Sequence, residues 1–347
     1  MAPRRIRPVT TLNQVVTAAA PNTPDGPSPL RRPGSIRRTA SFDTDWPAGR
    51  GEPQRMRARA RDLFTPVDGG PAVVLAEDSL EVTASPLREI LALSACREEA
   101  AAQGLIGKRG GGHLRSEIAT RFPAEHADAT PLHLLLDDYS GASLVAGWAW
   151  TRWTPDWRER MVADARARPG GGRMEGICAG FRPGSSALFA DGVHNPASQS
   201  NAPVPPLPHP DDPLGWHEFT AQDGVGFRRA RRMDLWLDGV IHLDVGFQDS
   251  AAGPGGRIGL HEYRLSATAD PVSFNVISIK VEPRILPYPE CPAASANAER
   301  LAGVSLSDFR LEVIERLPGT VGCTHLNDVL RSLEDAPALA RALAAAN

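Results

Sequence analysis

Cys323 and His325, in the stretch TVGCTHLNDVL, put a thiol and an imidazole one residue apart near the end of a 347-residue chain with only four cysteines. Thiolate and neutral imidazole are donors that zinc and iron(II) accept, and on a loop the two can turn toward one ion. On a regular helix, positions i and i+2 point about 200° apart and cannot. Pro318-Gly319 just upstream favours a loop or a helix start, and a helix N-terminus lowers a thiol pKa through the positive end of its dipole. Cys291 is placed in a similar way, ahead of Pro292 and the helix-like AASANAERL. In LHEY, strand alternation puts His261 and Tyr263 on one face and Glu262 on the other. Cys291, Cys323, His325 and His261 thus form a candidate set for a single zinc or iron ion. The competing reading is a non-catalytic binding or assembly module, with the thiols as small buried hydrophobes and the histidines satisfied where they lie.

Other residues carry weaker signals. RRMDLW sets Arg232, Asp234 and Trp236 on one strand face, as an anion-handling pair or, the preferred reading, an exposed ion pair. Cys178, in GICAGFRPGSSA, is a candidate nucleophile with Ser185 or Ser186 near an oxyanion, yet no His-Asp partners stand at a motif spacing. GKRGGGH, with Lys108, Arg109 and Arg115, lacks the phosphate-loop spacing and reads as a turn opening a helix.

The elements that must position these residues follow from periodicity. SIRRTASFDTDW, QRMRARARDLFT and PAVVLAEDSLEVTAS read as strands, and LREILALSA can continue them. PLHLLLDDYSGASLVAGWAW reads as two apolar runs around an Asp-Asp-Tyr-Ser-Gly turn. Asp238-Gly239 marks a hairpin, and GLHEYRLSATAD and VSFNVISIKVEPRIL add two strands. The pattern then turns helical. Gly303 ends one segment, and Ser305 with Asp308 caps another whose Leu306, Phe309, Val313 and Leu317 share a face. Strands followed by helices give an α+β class, with a β-rich N-terminal domain and a C-terminal antiparallel sheet carrying helices on one face. The organisation expected is a disordered basic tail over 1–34, a β-rich domain over 35–154, a Gly/Pro-rich loop or linker over 155–215 with the boundary near 210, and the Cys/His domain over 216–347.

Composition limits the function classes. Charged residues make up 23% and apolar residues 41%, so most of the chain should fold. The first 61 residues hold twelve arginines against four acidic residues, although the whole chain carries −3. Only Phe42 and Trp46 lie among those arginines, too few for an interleaved aromatic and basic surface, which argues against nucleic-acid binding. No run approaches the ~18 apolar residues of a membrane span. Scattered cysteines without a disulfide framework suggest a cytoplasmic protein with reduced thiols. The 36 arginines against 2 lysines suggest a GC-rich bacterial genome. A small molecule bound near the Gly/Pro-rich loop is the partner expected.

The order RRMDLW, GFQDS, LHEY, ILPYPECP, RLAG and GCTHLNDVL resembles a conserved bacterial domain family of unknown function, over about residues 228–332. The stretch from Cys291 through GCTHLNDVL is also similar to the second half of NifU-type iron–sulfur scaffold domains. That likeness implies that Cys291 and Cys323 match two cluster-binding cysteines. No cysteine lies between 179 and 290 to match the scaffold's first one, and Gly322 stands where the scaffold has histidine. A cluster needs cysteine-rich ligation, so the donors here suit a single zinc or iron ion better than a cluster.

Overall fold

A computed structural model describes residues 19–167 and 172–346. Its class is α+β. Four strands, β1 (Ser35–Asp45), β2 (Gln54–Thr65), β3 (Val73–Ala84) and β4 (Ile90–Ala95), form an antiparallel meander. Helices α1 (Glu99–Gln103), α2 (Gly112–Arg121), α3 (Pro123–Ala127), α4 (Pro131–Val145) and α5 (Trp157–Ala167) follow. The two-residue strand β5 (Ala202–Pro203) lies in the Gly/Pro-rich stretch. A second meander comprises β6 (Gly226–Asp238), β7 (Val240–Gly253), β8 (Gly256–Ala269) and β9 (Val276–Ile285). Its helices are α6 (Ala293–Asn297), α7 (Phe309–Arg316), α8 (Thr324–Arg331) and α9 (Ala336–Ala346). Gly239, with φ +71°, makes the tight β6–β7 turn expected at Asp238-Gly239.

β1 pairs with β6 from Ser35↔Trp236 to Asp45↔Gly226, so the strands before and after residue 210 form one sheet. The boundary expected there separates no sheets. The two meanders repeat one ion-pair plan about this seam. Arg37 meets Asp234 across it at 2.5 Å and Arg228 meets Asp43 at 2.6 Å. Within each meander, Arg38 grips its register partner Asp62, as Arg229 grips its partner Asp249. On one sheet face, α4 lies against β1–β3 and α9 against β6 and β1. Ala40, Phe42 and Met56 pack into the core of the first meander, and Leu243, Phe247 and Leu265 into that of the second. Leu306, Phe309, Val313 and Leu317 are all buried, as their helical spacing predicts.

Three expectations are corrected. The Asp-Asp-Tyr-Ser-Gly stretch is not a turn but the middle of α4, which Thr130 caps by accepting from the His133 amide at 3.2 Å. Its acids read as turn residues because they are polar, yet Asp138 is buried against Arg231 at 2.5 Å and Asp137 against Arg331 at 3.1 Å. The tail expected to be disordered over 1–34 is packed from residue 19 onward: Arg31 pairs with Asp212 at 2.8 Å, Ser28 accepts from the Trp216 indole at 2.9 Å, and the Asp25 amide donates to Glu262 at 3.0 Å. Polar partners anchor this segment where apolar residues are few. Residues 1–18 lie outside the described residues. Arg232 and Asp234 are a buried pair, not an exposed one. They belong to a chain running from Arg37 through Asp234 and Arg232 to Asp244. Among the described residues no helix is long and apolar enough to cross a membrane.

Candidate metal centre and its cavity

On the helix-facing side of the second meander, β7 presents Asp249 and β8 presents His261, which are register partners. Alternation sends Gln248 and Glu262 to the opposite side, where Gln248 donates to Glu262 at 2.9 Å. His325 arrives from α8, as its second residue, with Cys323 in the N-cap position. Asp249, His261 and His325 therefore bring one ligand atom each to within 4.8 Å of one another. The Asp249 Oδ2 atom lies 3.3 Å from His261 Nδ1 and 3.9 Å from His325 Nε2. Neither contact meets hydrogen-bond geometry, so each buried ring nitrogen faces this carboxylate oxygen without a hydrogen bond. The two imidazoles stack with centroids 3.6 Å apart and 20° between their planes.

Arg229 fixes the carboxylate. Wholly buried, it donates through Nε and Nη2 to the two Asp249 oxygens at 2.8 and 3.0 Å, and through Nη1 to Asp138 and Asp328. Burial works to raise the Asp249 pKa, but Arg229 and His261 overcome it and hold the carboxyl well below its usual range. Burial lowers His261, against the opposing pull of Asp249. Burial and neighbouring His261 push His325 well below its ordinary value. Both imidazoles are thus neutral at pH 7, the protonation state in which histidine binds metals.

The thiols are close by but outside this group. Cys323 Sγ stands 4.0 Å from His325 Nδ1, the ring nitrogen remote from Asp249, and accepts from the Tyr263 hydroxyl at 3.4 Å. Cys178 and Cys291 gather around Gly180, where an added Cβ would stand 3.8 Å from Cys178 Sγ and 2.7 Å from Cys291 Sγ. A helix N-terminus does not activate these thiols. Burial raises Cys323, pushes Cys178 up to about 11, and drives Cys291 well above its usual value with help from Cys323 and Cys178. Among the other candidates, Ser186 donates to Glu290 at 3.0 Å, which ties it into the structure. Arg115 pairs with Asp137 and Asp328.

Asp249 is the residue that sequence reasoning missed. GFQDS carries no ligand motif, and only the β7–β8 register sets this aspartate opposite His261. The first meander provides an internal contrast. It keeps the Arg38–Asp62 pair, but Ala76 is the register partner of Asp62 and Leu132 is the second residue of α4. The arginine–aspartate pair is therefore common scaffold, and the two imidazoles distinguish the second half.

In front of the imidazoles lies a cavity of about 490 Å³, lined by His261, His325, Cys178, Cys291 and Cys323 and by residues from the end of α4 to Gln199. The Gly/Pro-rich stretch thus supplies one wall of the site. Residues 227–339 match a family described as "Protein of unknown function (DUF2889)". The matched span holds Asp249, His261, Cys291, Cys323 and His325 and leaves Cys178 outside. No curated protein and no solved structure matches the chain.

Proposed function

We propose that the chain holds one divalent ion, zinc or iron(II), on Asp249, His261 and His325, facing a small molecule in the adjoining cavity. The observation that carries this reading is the pair of buried ring nitrogens, neither in a hydrogen bond, turned to a single carboxylate oxygen at 3.3 and 3.9 Å. Donors bound ~2.0–2.2 Å from a tetrahedral ion lie about 3.3–3.6 Å apart, so the carboxylate oxygen already stands near ligand spacing from each ring nitrogen. Two imidazoles and one carboxylate are also the donor set of open-sited zinc and non-haem iron centres. Such an ion supplies a Lewis acid and lowers the pKa of bound water.

The protein's own part is positioning. Arg229 holds the carboxylate from behind, and Cys323 meets the non-ligating nitrogen of His325, where it fixes the ring's orientation. In this reading Cys323 and Cys291 are not ligands, in contrast to the set the sequence suggests. His261 and His325 must rotate out of their stack, because imidazole lone pairs lie in the ring planes and parallel planes do not meet. Equilibrium dialysis against zinc tests the proposal. Wild type should take up one ion per chain, His113→Ala should match it, and His261→Ala or His325→Ala should each weaken uptake at least ~100-fold. Unchanged uptake by the double histidine variant would overturn the assignment. No uptake by wild type would leave the imidazoles and thiols as core packing.

A further inference from the structure

The cavity carries chemistry independent of any ion. Its volume of about 490 Å³ falls within the ~300–1,000 Å³ of small-molecule sites. Flat rings dominate the lining: Trp148, Trp150, Trp157, Phe181 and Tyr288. Among the described residues, Arg50 and Asp164 are the charged side chains of Arg, Lys, Asp or Glu type on it. They pair with each other at 2.9 Å and stand 38% and 61% exposed, which places them at the mouth. Without the ion, a charged ligand inside would lose water without gaining an opposite charge from the described lining, so the ion-free interior selects against charged guests. The polar groups deeper in are neutral. His194, lowered to about 4 by burial, contacts the Tyr288 hydroxyl at 2.5 Å. Thr151, only 8% exposed, has a buried hydroxyl oxygen with no hydrogen-bond partner. A buried hydroxyl left unpaired is costly, and turning it about χ1 toward the cavity that Thr151 lines would let a ligand atom remove that cost.

We propose that this cavity takes an uncharged aromatic small molecule bearing one hydroxyl or carbonyl, with the ring system among the tryptophans and the polar atom hydrogen-bonded to Thr151 Oγ1. Offset and edge-on ring contacts favour such a guest over an aliphatic one of equal size. The inference rests on the metal reading only in taking His261 and His325 as the reactive end; recognition itself uses other residues.

Calorimetric titration of the ion-free full chain with 2-naphthol and with naphthalene-2-sulfonate, which share a ring system but differ in charge, tests it. 2-Naphthol should bind at least tenfold more tightly than the sulfonate. Gly147→Trp places a ring where an added Cβ meets nothing within 4 Å, and it should lower 2-naphthol affinity at least tenfold. Thr151→Val should lower it about fivefold while leaving naphthalene itself unaffected. Equal binding of the sulfonate, no binding of 2-naphthol by wild type, or full binding by a folded Gly147→Trp protein would overturn the inference. The His261→Ala, His325→Ala double variant separates the two proposals. It should still bind 2-naphthol, so lost ion uptake with retained naphthol binding affects neither the cavity assignment nor its test.

Discussion

Gly141→Ala should destabilise this protein even though it replaces glycine by alanine in the middle of a helix. On helix propensity alone the change gains about 1 kcal/mol. An added Cβ, however, would stand 2.0 Å from Arg229 Nη1 and 2.2 Å from Asp328 Oδ2, inside contact distance of two buried charged groups. Arg229 cannot move aside freely, because its other nitrogens are committed to both oxygens of Asp249. Overpacking costs ~1–3 kcal/mol, and loss of the Arg229–Asp328 contact adds roughly 1.5–3 kcal/mol for a charge-assisted bond. Steric and electrostatic losses exceed the propensity gain, and the net change should be about 2–4 kcal/mol of destabilisation. Urea unfolding followed by circular dichroism measures it directly. If the alanine variant is as stable as wild type or more so, the close approach of α4 to Arg229 is wrong, and with it the account of how Asp249 is held.

Deleting residues 19–34 takes Arg31 from Asp212 and the Asp25 amide from Glu262, and should cost more than about 3 kcal/mol in the same assay; an unchanged midpoint would show that the segment is not docked. Acid should destabilise the fold early. Burial lowers His133 and His194 to about 4 and His217 to about 3, and depresses His261 and His325. The unfolded chain, with histidine near ~6.5, therefore binds more protons, so stability should be complete above ~6.5 and fall as pH drops toward 4. A flat unfolding free energy between pH 7 and 5 would contradict those burials. Thiol labelling should divide the cysteines: exposed Cys96 should react with a maleimide at once, and Cys178, Cys291 and Cys323, whose burial raises their pKa, far more slowly until the chain unfolds. Rapid modification of all four would contradict the burial of the three cavity thiols.

Much of this architecture can be read from local pattern. Alternation in QRMRARARDLFT, the Asp238-Gly239 turn and the capped face of Leu306, Phe309 and Val313 are local signals, each set by a few neighbouring residues. The seam between β1 and β6 is not local. It joins segments about 190 residues apart, and it decides that the halves form one sheet. Asp137 and Asp138 misled because acidic residues beside Tyr-Ser-Gly are ordinary turn chemistry, while the arginines that neutralise them here come from β6 and α8. Cys323 and His325 were legible as a pair, but which atoms face a common point depends on α8 beginning at Thr324. Once Cys323 occupies the N-cap, its thiol meets Nδ1 of His325 and leaves Nε2 to Asp249. Cys291 drew attention by its place before a helix, yet that helix has five residues and burial outweighs its dipole.

X-ray absorption at the zinc edge, on wild-type protein loaded with one equivalent of zinc, distinguishes the centre proposed here from the thiolate site suggested by the cysteines. Nitrogen and oxygen donors near ~2.0–2.1 Å give a first shell well resolved from sulfur at ~2.3 Å. The account predicts a nitrogen/oxygen shell with no sulfur, showing the outer-shell scattering of two imidazoles, and loss of that imidazole signal in the His261→Ala, His325→Ala variant. Two or three sulfur neighbours would place the ion on Cys178, Cys291 and Cys323 instead and contradict the assignment to Asp249, His261 and His325.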